Sequence, residues 1–228
     1  YSIVSNPISG TATLSGDTVT YIPTTGFAGT DSFTFKASDQ SIDSETKTVT
    51  IKVTKGYLTE ATQIGADING EASNDQSGYS VSFSEDATIM AIGANGNGSN
   101  SGHVRIYSYD GTSWTQLGAD IDGEAAGDYS GSSVSLSSDG TTVAIGAYAN
   151  DDNGNSSGHV RIYNYNGTSW VQLGLDINGE AAIDNLGVSV SLSSDGTTLA
   201  IGGTGNDENG SNSGHVRVYN YNGIAWTQ

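Results

Sequence analysis

The chain has 228 residues, no Cys, 32 Gly and a formal charge of −18 from 7 basic and 25 acidic side chains. A field of that sign repels phosphate backbones and anionic lipid, which argues against nucleic-acid binding. The missing Cys excludes disulfides, thiolate metal sites and cysteine nucleophiles, and no run of 18 apolar residues marks a membrane span.

Gly, Ser, Thr, Asn and Asp clusters separate short alternating runs of Val, Ile and Tyr, and no stretch carries helical apolar spacing, so the class expected is all-β. Residues 1–55 hold all four lysines, with strand-like runs at Tyr1–Val4, Thr11–Leu14, Thr18–Ile22, Asp31–Ala37 and Lys47–Thr54. Ser15-Gly16-Asp17 is a hairpin turn between two of them. The pattern predicts a small antiparallel sandwich.

The words Tyr1-Ser-Ile-Val-Ser-Asn-Pro, Gly10-Thr-Ala-Thr-Leu, Thr18-Val-Thr-Tyr-Ile-Pro and Gly26-Phe-Ala-Gly-Thr-Asp-Ser-Phe-Thr-Phe resemble the cadherin-like, immunoglobulin-like tandem domains of bacterial adhesins, over about residues 1–54. That resemblance implies a module of a large surface protein. Family members carry a further upstream portion, so the module is expected to be N-terminally incomplete.

From residue 56 onward a repeat takes over, in units of 62–114, 115–170 and 171–226. Each unit opens on a word such as Thr115-Gln-Leu-Gly-Ala-Asp-Ile-Asp-Gly-Glu124 and continues with G-x-S-V-S, as in Gly131–Ser135. A tight Ser138-Asp139-Gly140 turn, a strand ending Ala144-Ile-Gly146 and a polar loop follow. Last comes G-H-V-R-[IV]-Y, at Gly102, Gly158 and Gly214, closed by Trp114, Trp170 or Trp226. The arginines stand at Arg105, Arg161 and Arg217, two steps of 56 residues (161 − 105 and 217 − 161). The first copy is shorter, and the deletion is expected in its Asn95–Asn100 loop.

Four short strands per unit are the content of a propeller blade. Branched apolar residues on one strand face with Ser, Ala and Gly on the other suit blades packed face to face. The words G-x-S-V-S, A-I-G-[AG] and G-H-V-R-[IV]-Y resemble the FG-GAP repeats of the integrin α-subunit propeller and its bacterial relatives, over about residues 57–228. The family's calcium loop is replaced here by the bare Asp-Gly turn. Three units do not close a ring, since propellers have roughly four to eight blades. The chain is therefore expected to be a window on a longer one or to be completed by other chains.

Two sets of residues invite chemistry. Acidic and amide side chains recur at alternate positions as Asp67, Asn69, Glu71 and Asp75; as Asp120, Asp122, Glu124 and Asp128; and as Asp176, Asn178, Glu180 and Asp184. Oxygen donors so spaced on a turn are candidate Ca²⁺ ligands. The loop residues that differ between copies, Tyr148, Asp151, Asp152, Asn155, Thr204, Asn206 and Asp207, are candidate ligand contacts.

His103, His159 and His215 fall one per unit, too far apart to share an ion; with Arg105, Arg161 and Arg217 they are expected to form a structural ladder along one strand face. No nucleophile–base pair emerges, and the chain is not expected to be an enzyme. The whole reads as a segment of an extracellular or cell-surface bacterial protein that binds glycan or protein through its loops. The alternative is a fibre or sheath block completed by copies of itself.

Overall fold

The computed structural model describes residues 1–39, 41–54 and 63–228; the boundary expected at residues 55 and 56, and Thr62 at the start of the first repeat, lie outside them. The chain divides into two compact units, Tyr1–Thr62 and Gln63–Gln228.

The first unit has five strands: β1 (Ser2–Ser5), β2 (Gly10–Ser15), β3 (Thr18–Pro23), β4 (Gly29–Lys36) and β5 (Lys47–Val53). They form an antiparallel sheet of order β1-β4-β5 and a separate β2-β3 hairpin. Ser15 pairs with Thr18, which leaves Gly16-Asp17 as a two-residue turn with Gly16 at φ 64°. Burial alternates along β2, β3 and β5, one face wet and one turned inward.

Between hairpin and sheet lies an apolar cleft lined by Ile3, Leu14, Val19, Phe33, Phe35 and Ile51. Asp31 ties the two layers together. Its carboxylate accepts from the Ile8 and Ser9 amides at 3.1 and 2.9 Å, from the Ser32 amide at 2.8 Å and from the Tyr21 hydroxyl at 3.0 Å.

The second unit is three antiparallel sheets of one plan. The first holds β6 (Ser80–Phe83), β7 (Ile89–Ala94), β8 (His103–Tyr109), β9 (Trp114–Gln116) and β10 (Ile121–Asp122). The second repeats it with β11 (Ser133–Leu136), β12 (Thr142–Ala147), β13 (His159–Tyr165), β14 (Trp170–Gln172) and β15 (Ile177–Asn178). The third has β16 (Leu186–Leu192), β17 (Thr198–Gly203), β18 (His215–Tyr221) and β19 (Trp226–Thr227). Each sheet is a meander of four strands, with β10 and β15 added beside the start of the third strand. These are propeller-type blades.

The core lies between blades rather than within them. Ala91, Val104, Ile106 and Ile121 of the first blade pack on Leu136, Val143 and Ile145 of the second. Ala144, Val160, Ile162 and Ile177 on the second blade's other face pack on Leu186, Leu192, Leu199 and Ile201 of the third. Burying one such branched side chain contributes about 1.5–3 kcal/mol.

Val216 and Val218, the counterparts of Val160 and Ile162, are 71% and 52% exposed where the latter are 0% and 1%. The third blade thus presents an uncovered apolar face.

The S-V-S serines have a second duty. Ser80 Oγ donates to the Gly131 carbonyl, while Ser82 Oγ accepts from the Leu136 amide at 3.0 Å. The next pair of blades repeats this through Ser133 to Gly187 and Leu192 to Ser135. The tryptophans also link blades: Trp170 Nε1 donates to the Leu117 carbonyl at 2.8 Å and Trp226 Nε1 to the Leu173 carbonyl at 2.9 Å.

Candidate functional site

The three histidines stand on separate sheets, at the first residue of β8, β13 and β18. On the β12 side of the ladder His159 faces Ala147 and Arg161 faces Ile145, neither of them polar. Their partners come from the acidic turns. Arg161 donates through Nη2 to the Asp122 carbonyl at 2.7 Å, places Nη1 3.6 Å from Glu124 Oε1 and lies over the Tyr163 ring. Arg105 does the same with the Asn69 carbonyl at 2.8 Å, Glu71 and Tyr107. Arg217 reaches Glu180 at 3.2 Å.

The acidic set Asp120, Glu124 and Asp128 is divided among three tasks, and the other two sets repeat them in part. The last member staples its own turn: Asp75 accepts from the Ala72 amide, Asp128 from Ala125 and Asp184 from Ala181. In the first two blades the glutamate lies beside the blade's own histidine, with Glu71 Oε2 4.0 Å from His103 Nδ1 and Glu124 Oε2 3.8 Å from His159 Nδ1. The first aspartate swings back to the preceding blade, where Asp120 Oδ2 is 3.7 Å from His103 Nδ1.

Among the described residues, the groups brought within 4.8 Å of one another are Glu71, His103 and Asp120, and Glu124, Asp152, His159 and Asp176. Asp67 and Asp176 have a carboxylate oxygen held by Gln63 and Gln172, and Asn178 pairs with His159 along the strands. Sequence periodicity missed the clusters because each draws its acids from two successive repeats.

His103 and His159 are buried, and both ring nitrogens of His159 lack a hydrogen-bond partner. Burial pushes the His159 imidazole below its ordinary value and Arg161 pushes the same way, against the nearby carboxylates of Asp176, Asp128 and Asp152. Burial raises the Glu124 carboxyl; Arg161 opposes this, and the carboxylates of Asp176, Asp152 and Asp128 add to it. This is a crowded acidic site around a buried imidazole.

The loop candidates separate. Asn206 is buried, with its amide 3.4 Å from Asp184 Oδ1, and anchors its loop rather than facing solvent. Asp151 and Asp207 cap their own loops through the Ser156 and Asn212 amides. Asn155 and Thr204 are exposed.

Tyr148 is half-buried and stacks on Tyr129, with ring centroids 5.5 Å apart and planes 16° from parallel. Burial raises the Tyr148 hydroxyl pKa, and neighbouring Tyr129 and Tyr79 add to the rise. Tyr129 holds a left-handed backbone, φ 57°, as do its counterparts Gln76 and Asn185. The repeat thus keeps the strained backbone and varies the side chain it presents.

No curated protein matches the chain. Among solved structures it is similar to Kuenenia stuttgartiensis hydrazine synthase, with 13% identity and a TM-score of 0.43 over 76% of this chain and 38% of that one. It is also similar to the Pseudomonas aeruginosa periplasmic gluconolactonase, with 19% identity and a TM-score of 0.45 over 67% of this chain and 40% of that one. A third is the β-propeller domain of the Trilobed protease from Pyrococcus furiosus, with 7% identity and a TM-score of 0.38 over 87% of this chain and 53% of that one. The chain thus spans between 38% and 53% of the length of these structures. Family matches fall within each unit: residues 1–52 match the bacterial Ig domain and residues 119–163 match the FG-GAP repeat, both non-catalytic repeat modules typical of extracellular proteins.

Proposed function

We propose that this chain is a binding segment of an extracellular repeat protein and that its blade loops hold a glycan or protein partner. The observation that carries this reading is the stacked Tyr129–Tyr148 pair, with Tyr79 beside it. It occupies positions that hold Gln76 and Asn95 in the first blade and Asn185 and Thr204 in the third. A partly exposed aromatic surface on a strained backbone suits stacking against a sugar ring or a planar side chain.

The test is binding of the chain to arrayed glycans and to cells, with Tyr129→Ala and Tyr148→Ala alongside. Each variant is expected to weaken binding roughly two- to tenfold at unchanged Tm. Binding untouched by both changes sinks the reading.

A second reading, a building block completed by copies of itself, is favoured by the exposed Val216–Val218 face. It predicts concentration-dependent assembly in sedimentation that Val218→Glu abolishes; a monomer at all concentrations ends it.

A further inference from the structure

We propose that Glu124, Asp152, His159 and Asp176 form a binding site for a divalent first-row transition cation of the Zn²⁺ type. The strands and turns that place these four groups come from four points along the chain. Glu124 lies on the turn between β10 and β11, Asp152 on the loop between β12 and β13, His159 at the start of β13 and Asp176 between β14 and β15. One donor atom from each lies within 4.8 Å of all the others.

The distances favour a shared ion over direct pairing. His159 Nδ1 and Glu124 Oε2 are 3.8 Å apart, beyond hydrogen-bond range. Two donors bound to one tetrahedral ion at about 2.1 Å stand ~3.4 Å apart, so a contraction of a few tenths of an ångström would bring this pair onto a metal. The imidazole is fully buried and neither nitrogen has a partner. A buried polar atom left so is costly, and coordination would satisfy it.

Charge agrees. Three carboxylates beside the single guanidinium of Arg161, which lies 3.6 Å from Glu124 Oε1, leave two negative charges, and a divalent cation neutralises them. Asp176 is already oriented, since Gln172 Nε2 donates to its Oδ1 at 2.6 Å, the kind of outer contact that fixes a ligating carboxylate. An imidazole at the base of the site distinguishes it from the all-oxygen shell of six to eight donors that Ca²⁺ prefers.

The arrangement recurs. In the first blade His103 Nδ1 lies 4.0 Å from Glu71 Oε2 and 3.7 Å from Asp120 Oδ2, and Gln116 donates to Asp120 at 2.6 Å. The loop there is closed by the Gly102 amide on the Asn97 carbonyl, against Gly158 on Asn150 in the second blade. That makes it three residues shorter (8 against 5) and removes the counterpart of Asp152. The second blade is therefore the complete version, and the first binds more weakly.

The test is calorimetric titration of the chelator-treated chain with ZnCl₂, and separately with CaCl₂, together with the visible absorption of the Co²⁺-loaded chain. One tight Zn²⁺ site per chain is expected, with Ca²⁺ much weaker. Glu124→Gln and Asp152→Asn should each weaken Zn²⁺ by about tenfold or more, and His159→Asn should remove the Co²⁺ ligand-field bands. Asp152 is exposed on its loop, so Asp152→Asn decides the matter even if the buried histidine variant does not fold. Zn²⁺ binding that is unsaturable, unaffected by Asp152→Asn or weaker than Ca²⁺ binding overturns the proposal.

Discussion

Ser133 Oγ donates to the Gly187 carbonyl at 2.7 Å, a bond from the inner strand of one blade to the backbone of the next. The two blades approach so closely here that a Cβ on Gly146, the cross-strand partner of Ser133, would lie 2.1 Å from the same carbonyl. Backbone cannot yield as a side chain does. Ser133→Ala is expected to cost about 1 kcal/mol through the lost bond, and Gly146→Ala more, about 3 kcal/mol, because the blades must part. Urea unfolding compares them. Equal costs would mean that the gap is not the constraint.

Gly118 and Gly167 form a matched pair. Both have a left-handed backbone, φ 82° and 92°, but a Cβ on Gly118 would meet Trp170 Cδ1 at 3.0 Å while one on Gly167 meets nothing within 4 Å. Alanine at either site costs about 1 kcal/mol in backbone strain. The excess at Gly118 isolates the indole, which also donates to the Leu117 carbonyl. Gly118→Ala is therefore expected to lower Tm further than Gly167→Ala. Indistinguishable melting curves would show that Trp170 moves aside freely.

The strands were legible because their signals are local. Alternation in Thr18-Val-Thr-Tyr-Ile and the repeated Val-Arg-Ile-Tyr word give an inward face without knowledge of any neighbour. The small faces of β11 and β12 also pointed to blade packing. Their chemistry did not, since nothing in Ser-Val-Ser says that a hydroxyl will bond to a backbone 54 residues on.

The acidic sets show the same limit. Asp120, Glu124 and Asp128 are close in sequence and look like one loop's ligands. The fold sends the first to His103, the second to His159 and the third to its own turn. Burial decided the histidines' surroundings, and burial by a second blade is not a property of either repeat alone.

The Asp139-Gly140 and Asp195-Gly196 turns are closed by their own side chains. Asp139 Oδ1 accepts from Ser137 Oγ at 2.6 Å and from the Thr141 amide at 3.0 Å, and Asp86 and Asp195 repeat the arrangement. Asp139→Ala is expected to lower Tm, because it leaves the Thr141 amide without this acceptor, whereas Asp139→Asn keeps an acceptor and loses less. Scanning calorimetry of both variants in EDTA checks this; equal losses would show that the charge, not the acceptor, closes the turn.

In the first unit Asp31 is one source of pH dependence, beside Asp39 and Asp43. Burial alone would raise its carboxyl, but the Ser9, Ser32 and Ile8 amides and the Tyr21 hydroxyl hold it below the ordinary 3.8. A lowered folded value makes the ionised form stabilising. That contribution is complete above the ordinary carboxylate range and disappears as pH falls through the lowered value. The amide resonances of Ile8, Ser9 and Ser32 should therefore titrate together, with a midpoint below 3.8, as the hairpin loosens from the sheet. Asp31→Asn should remove that titration and lower the unit's stability at neutral pH, where the wild-type carboxylate is charged. A midpoint above 3.8 would mean that burial outweighs the four donors, and acid would then strengthen the contact instead of breaking it.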